Sequence, residues 1–166
     1  MKTTKIEWTD KTWNPITGCT KHSAGCAHCY AEVMSRRLHA MGLAKYANGF
    51  QLRLGVTCES SAVKHRIDAL RGLQAGIKFL SCEPLIEALG EIDLTGIDWV
   101  IVGGESGPKA RPMKEEWVLQ IQTQCEKQGA TFFFKQWGTW GSDGIKRSKH
   151  ENGKLLKGKV WQAMPA

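Results

Sequence analysis

No run of apolar residues in this 166-residue chain approaches the length that a membrane-spanning helix needs. The opening Met1-Lys2-Thr3-Thr4-Lys5 has no apolar stretch behind its charges, so a secretory leader is not expected. Low-complexity segments and a strong linker are missing too. No Gly-Lys-Ser/Thr element opens a helix, which excludes a phosphate-binding Walker loop. These absences lead to the expectation of a soluble, cytoplasmic protein with no membrane contact. In that reducing setting the six cysteines do not read as a disulfide framework. They read as metal ligands, catalytic groups or buried apolar side chains.

A chain of this size with 42% hydrophobic residues can bury a core of its own, and residues 1–166 are expected to form one domain. The formal charge of +7 is unevenly placed. From Gly138 to Ala166 six Lys or Arg stand against two acidic residues. This basic tail, 138–166, either packs on the domain or extends from it. Lys146, Arg147, Lys149, Lys154, Lys157 and Lys159 could neutralise nucleic-acid phosphates, or simply form a solvated surface. Trp140 and Trp161 could stack on bases or anchor the tail to the core.

Along the chain, Ile6 to Trp13 reads as a first strand and Asn14 to Tyr30 as a loop rich in Gly, Cys, Thr and Ser. Ala31 to Met41 is predicted helical on the spacing of Met34, Leu38 and Met41, with Gly42 just past its end. A strand follows over Leu52 to Thr57. Ser60 or Ser61 then caps a helix striped by Val63, Ile67, Leu70 and Leu73 and stopped by Gly76. Further strands are predicted at Ile77 to Ser81, Trp99 to Val102 and Thr131 to Phe134. Between the last two lies a helix from Lys114 to Lys127, with Val118, Ile121 and Cys125 inward and Gly129 at its end. Unbroken apolar strands alternating with amphipathic helices predict an α/β fold, a mostly parallel sheet of βα units.

Three predicted strands finish alike, in Val56-Thr57-Cys58-Glu59, Leu80-Ser81-Cys82-Glu83 and Val102-Gly103-Gly104-Glu105. The fourth finishes Phe133-Phe134-Lys135-Gln136-Trp137. Parallel βα units gather their C-terminal strand ends on one side, where ligands bind. Glu59, Glu83, Glu105 and Lys135 are therefore candidate site residues, although Glu59 would also suit the N-terminus of the helix it precedes. Gly103-Gly104-Glu105 opens a glycine-rich loop that also carries Lys109 and Arg111. Such a loop can hold an anionic or amino-acid-like ligand, or be a plain turn.

Cys19, Cys26 and Cys29 lie on one loop, with six residues and then two between them. Two thiolates separated by two residues can close on one metal or one cluster. Three cysteines with no fourth nearby suggest an iron-sulfur cluster with one iron left open. Zinc competes, because His22 or His28 could complete a tetrahedral site, and a redox dithiol at Cys26 and Cys29 is a third reading. Cys58 or Cys82 could add a ligand, whereas Cys125 belongs to the core.

The blocks Thr12-Trp13-Asn14-Pro15-Ile16-Thr17-Gly18-Cys19, Gly25-Cys26-Ala27-His28-Cys29-Tyr30, Ser81-Cys82-Glu83-Pro84-Leu85, Trp99 to Gly107 and Phe132 to Gly138 run in order along the chain. Together they resemble the phage-associated three-cysteine-motif family, a divergent relative of radical S-adenosylmethionine proteins. The resemblance implies a partial barrel of βα units and a [4Fe-4S] cluster on Cys19, Cys26 and Cys29. It further implies S-adenosylmethionine at the open iron, with Tyr30 beside the adenine, Gly103, Gly104 and Glu105 holding the cofactor, and Glu59, Glu83 and Lys135 in catalysis. Two departures stand out. The usual radical motif has three residues between its first two cysteines, against six here. A long middle section is also missing where Asn48-Gly49-Phe50 is followed almost at once by Leu54-Gly55-Val56, which would shorten the barrel. The alternative to an enzyme is a metal-stabilised module, with Zn2+ or a cluster, binding nucleic acid or a protein partner. A phage-encoded inhibitor would be of that kind.

Overall fold

The computed structural model describes residues 36–42 and 53–165. The strand expected at 6–13 and the cysteine loop at 14–30 lie outside the described residues. The chain divides into two compact units, residues 1–54 with 74–77 and 166, and residues 55–73 with 78–165. In the first unit, residues 36–40 are helical. Gly42 follows at φ 73°, a left-handed conformation that costs glycine little and ends a helix. Met41, expected on the apolar stripe, is exposed.

The main sheet holds four parallel strands in the order β1-β2-β3-β4, following the chain. They are β1 (Arg53–Thr57), β2 (Ile77–Cys82), β3 (Trp99–Gly103) and β4 (Thr131–Gln136). Helix α1 (His65–Arg71) joins β1 to β2, and α2 (Glu115–Gln128) joins β3 to β4. All five residues of β3 are buried, as an apolar central parallel strand requires.

Residue alternation gives the sheet two faces. Val118, Ile121 and Cys125 of α2 are buried, α2 packs on β4, and Cys125 lies within electrostatic reach of Cys82. On the opposite face Trp99, Ile101 and Phe133 cluster with the half-buried Phe79. Trp99 meets Phe133 edge-on at 5.7 Å and Phe79 at 6.0 Å. Such ring pairs contribute about 0.5–1.5 kcal/mol each beyond the area they bury. Phe79 also lies against Gly55 of β1, where a Cβ would overlap its ring.

Helix α2 follows its expectation closely, ending at Gly129 with φ 78°. The helix after β1 does not. A 3-10 turn, Ser61–Val63, precedes it, and Ser60 makes no side-chain cap. Ser61 instead donates both its N–H and its hydroxyl to Glu87 Oε1, each at 2.6 Å. The helix stops at Gly72, four positions before Gly76, and leaves Leu73 exposed. Glycine is a poor helix former, and the last turn tightens there through Leu73 N–H donating to Leu70 O at 3.1 Å.

Residues beyond β4 form a short helix α3 (Lys149–Asn152), with a Ser148–Glu151 capping box, and a hairpin of β5 (Leu155–Leu156) and β6 (Lys159–Val160). They are packed on the sheet. Phe134 N–H donates to Trp161 O at 2.6 Å, Phe133 and Gln162 form an antiparallel bridge, and the Trp99 indole donates to Ala163 O at 3.1 Å. Among the described residues no helix is long and apolar enough to cross a membrane.

Candidate functional site at the strand ends

Glu59 lies two residues past β1, Glu83 immediately follows β2 and Glu105 lies two residues past β3, so the parallel sheet brings them to one end. Each is met by a cation. Glu59 pairs with Arg66 of α1 at 3.3 Å, and the same arginine also donates to Thr57 O at 3.0 Å. Glu105 is held by Arg111, which donates from Nε at 2.8 Å, from Nη2 at 2.9 Å and from its backbone N–H at 2.8 Å. Those bonds, side chain first, draw the Glu105 carboxyl down to about 2. The loop that could have offered Arg111 to an anionic ligand has turned it onto its own glutamate.

Glu83 pairs with Lys135 at 3.1 Å, and both side chains are about four-fifths buried. Lys135 owes its position to an irregularity. Val102 pairs with Phe134 and Gly103 with Gln136, which leaves Lys135 as the extra residue of a bulge in β4. Bulges re-aim a side chain at a sheet's end and are common beside active sites. The glycine opposite explains the rest of the arrangement, because a Cβ on Gly103 would overlap the Glu83 carboxylate. Leu85 N–H donates to Gly103 O at 3.0 Å, fixing the chain after Glu83 to the end of β3.

Gly104 is needed for a different contact. A Cβ there would overlap the carbonyl of Trp137, and a Cβ on Gly138 would overlap the carbonyl of Glu105. The space beside both glycines of the Gly103-Gly104 pair is thus taken by the chain itself.

Cys58 and Cys82, at the ends of β1 and β2, are fully buried. Burial pushes both thiols up, with Glu59 adding to the effect at Cys58, and Cys125 is pushed up to about 12. Burial of this kind makes a thiol a poor nucleophile. Among the described residues no cluster of three or more His, Cys, Asp or Glu is arranged to hold a metal ion. Cys19, Cys26, Cys29 and Tyr30 lie outside the described residues.

A family model described as a protein of unknown function, DUF5131, matches the chain over residues 3–54 and 47–165. The chain belongs to this family. No curated protein and no solved structure matches it.

In this DUF5131 chain the structure joins Glu83, Lys135 and Gly103 in one place and ties Glu59 and Glu105 to arginines of their own. Sequence reasoning placed all these residues at strand ends but missed the pairing. Arg66 carries no local signal, being one charge among several on a short helix. The bulge at Lys135 is a property of register between two strands, which no single strand records.

Proposed function

We propose that the chain is an iron-sulfur protein of the radical S-adenosylmethionine type, with its cluster on Cys19, Cys26 and Cys29 and its S-adenosylmethionine and substrate at the strand ends. The observation that carries this reading is the Glu83–Lys135 pair, a partly buried carboxylate and ammonium lodged on a β-bulge over Gly103. Bulges are over-represented beside active sites, where they re-aim a side chain.

The donor set suits a ligand bearing both charges. Glu83 can accept from an ammonium group and Lys135 can donate to a carboxylate, and both groups occur in S-adenosylmethionine. When bound, the cluster supplies one electron to cleave the sulfonium, chemistry that belongs to the cofactor. The chain's own residues orient: Arg111 fixes Glu105 and Arg66 fixes Glu59. Strand order following the chain, as in a partial barrel, supports the reading. The two family stretches overlap at residues 47–54, where the sequence pattern places a deleted middle section, and this overlap supports reading the fold as a shortened barrel. A phage or mobile-element setting rests on the sequence blocks alone.

Purification without oxygen, followed by iron, acid-labile sulfide and zinc analysis with a visible spectrum, tests the proposal. Roughly four irons and four sulfides per chain are expected, and Cys26→Ala should lose them. Stoichiometric zinc without visible absorption would sink it and leave a metal-stabilised binding module.

A further inference from the structure

Two sequence blocks that lie far apart in the chain interlock at the strand ends. β3 ends at Gly103 and runs on as Gly104-Glu105, and β4 ends at Gln136 and runs on as Trp137-Gly138-Thr139. Gly104 N–H donates to Gln136 O at 2.9 Å, and Thr139 N–H donates to Glu105 O at 2.8 Å. Between these two bonds the backbones cross in contact, the Trp137 carbonyl against Gly104 and the Glu105 carbonyl against Gly138. Only glycine fits either crossing point, and Gly138 also needs its φ of 81°.

The crossing extends along both loops. Thr139 Oγ1 accepts from Gly107 N–H at 2.9 Å and donates to Gly107 O at 3.3 Å. The Trp140 indole donates to Ala110 O at 2.7 Å, and Lys146 Nζ donates to Pro108 O at 2.8 Å. Trp137 is buried, and its indole donates to Leu155 O at 2.9 Å. The Arg111 clamp on Glu105 closes the far end of the same loop. The hydrogen bonds named here for residues 104–111 thus come either from within that loop or from residues 136–146.

We infer that Thr139 is a positioning residue: through the Gly104–Gly138 crossing, the segment after β4 holds the Glu105 loop in place and sets how well the strand-end site binds its ligand, without touching that ligand. The ligand part of this inference rests on the function proposed above; the coupling of the two loops does not. Thr139 is the residue to change, because its hydroxyl bonds the loop twice while its methyl and backbone can be kept.

The experiment compares the full-length chain with Thr139→Val and Thr139→Ser, each purified without oxygen. Three quantities are measured: iron content, the dissociation constant for S-adenosylmethionine, and hydrogen exchange at residues 104–112. Thr139→Val should keep its iron, exchange faster at 104–112 and bind S-adenosylmethionine about tenfold more weakly, the effect of losing two ordinary hydrogen bonds. Thr139→Ser should restore both values. Unchanged exchange at 104–112 in Thr139→Val would overturn the coupling, and faster exchange with unchanged affinity would overturn the positioning role. If the wild-type chain holds no cluster and binds no S-adenosylmethionine, the proposed function fails, and with it the role toward that ligand, while the exchange comparison still decides the coupling of the loops.

Discussion

At the scale of single residues, charge pairing reorganises what strand-end glutamates can do. Three carboxylates facing one side of a sheet would attract a metal ion or a cation if left alone. Here Arg66, Lys135 and Arg111 neutralise them one by one. Glu105 is the extreme case, its carboxyl held at about 2 against an ordinary 4.5. The sign of the linkage follows: a depressed folded value gives stability that is fully present above pH 4.5 and lost as pH falls through about 2. Arg111→Met should therefore melt below the wild type at pH 7, and the difference should shrink between pH 4.5 and 2. Thermal unfolding by circular dichroism across that range checks it, and a difference independent of pH would show that Arg111 acts by packing alone. Glu59, Glu83, Glu105 and Lys135 were legible in the sequence as strand-end groups because position after a strand is a local property. Their pairings were not, since Arg66 and Lys135 find their carboxylates only after strands and helices have packed.

At the scale of elements, periodicity reported helices and strands well where burial is strong and poorly where it is weak. β3, β4 and α2 follow their apolar patterns, and Gly129 ends α2 as its position suggests. The helix after β1 is shorter than its pattern, because Gly72 interrupts it and the capping role assumed for serine passes to Glu87 from a distant loop. Glycines show the same divide. Gly103 and Gly104 read in the sequence as part of a ligand-holding loop or a plain turn, whereas the structure uses them for close approach by Glu83 and Trp137. Gly104→Ala should accordingly destabilise by at least the roughly 1–3 kcal/mol typical of overpacking, since backbone rather than a mobile side chain stands in the way. Gly144→Ala meets no atom within 4 Å and loses only the freedom of a φ of 73°, a cost of about 1–2 kcal/mol. Urea unfolding of the two variants gives the comparison; equal midpoints would mean that the strand-end crossing relaxes freely.

At the scale of the whole molecule, the basic C-terminal stretch is best judged by what it holds. Of its cations, Lys146 reaches Pro108 O and lies 5.7 Å from the Trp140 ring centroid, Arg147 pairs with Asp143 at 2.7 Å, Lys154 meets Gln162 at 3.2 Å and Lys157 pairs with Glu115. Trp140 and Trp161 donate their indole N–H groups to the chain, and Trp161 meets Phe132 edge-on at 6.2 Å. Leu156 is fully buried. A segment so engaged packs on the sheet and covers the edge of β4, which would otherwise offer unpaired backbone groups to another chain. Ending the protein at Gly138 should then abolish cooperative unfolding and promote association through that edge. By contrast, Lys149→Gln with Lys159→Gln, which removes charge from the same stretch, should leave the melting temperature nearly unchanged, as surface changes usually do. Chromatography with light scattering and a thermal melt distinguish the two effects. A truncated chain that stayed monomeric and melted like the full one would make the stretch a dispensable arm, and salt-dependent binding to nucleic acid would then become the first property to measure.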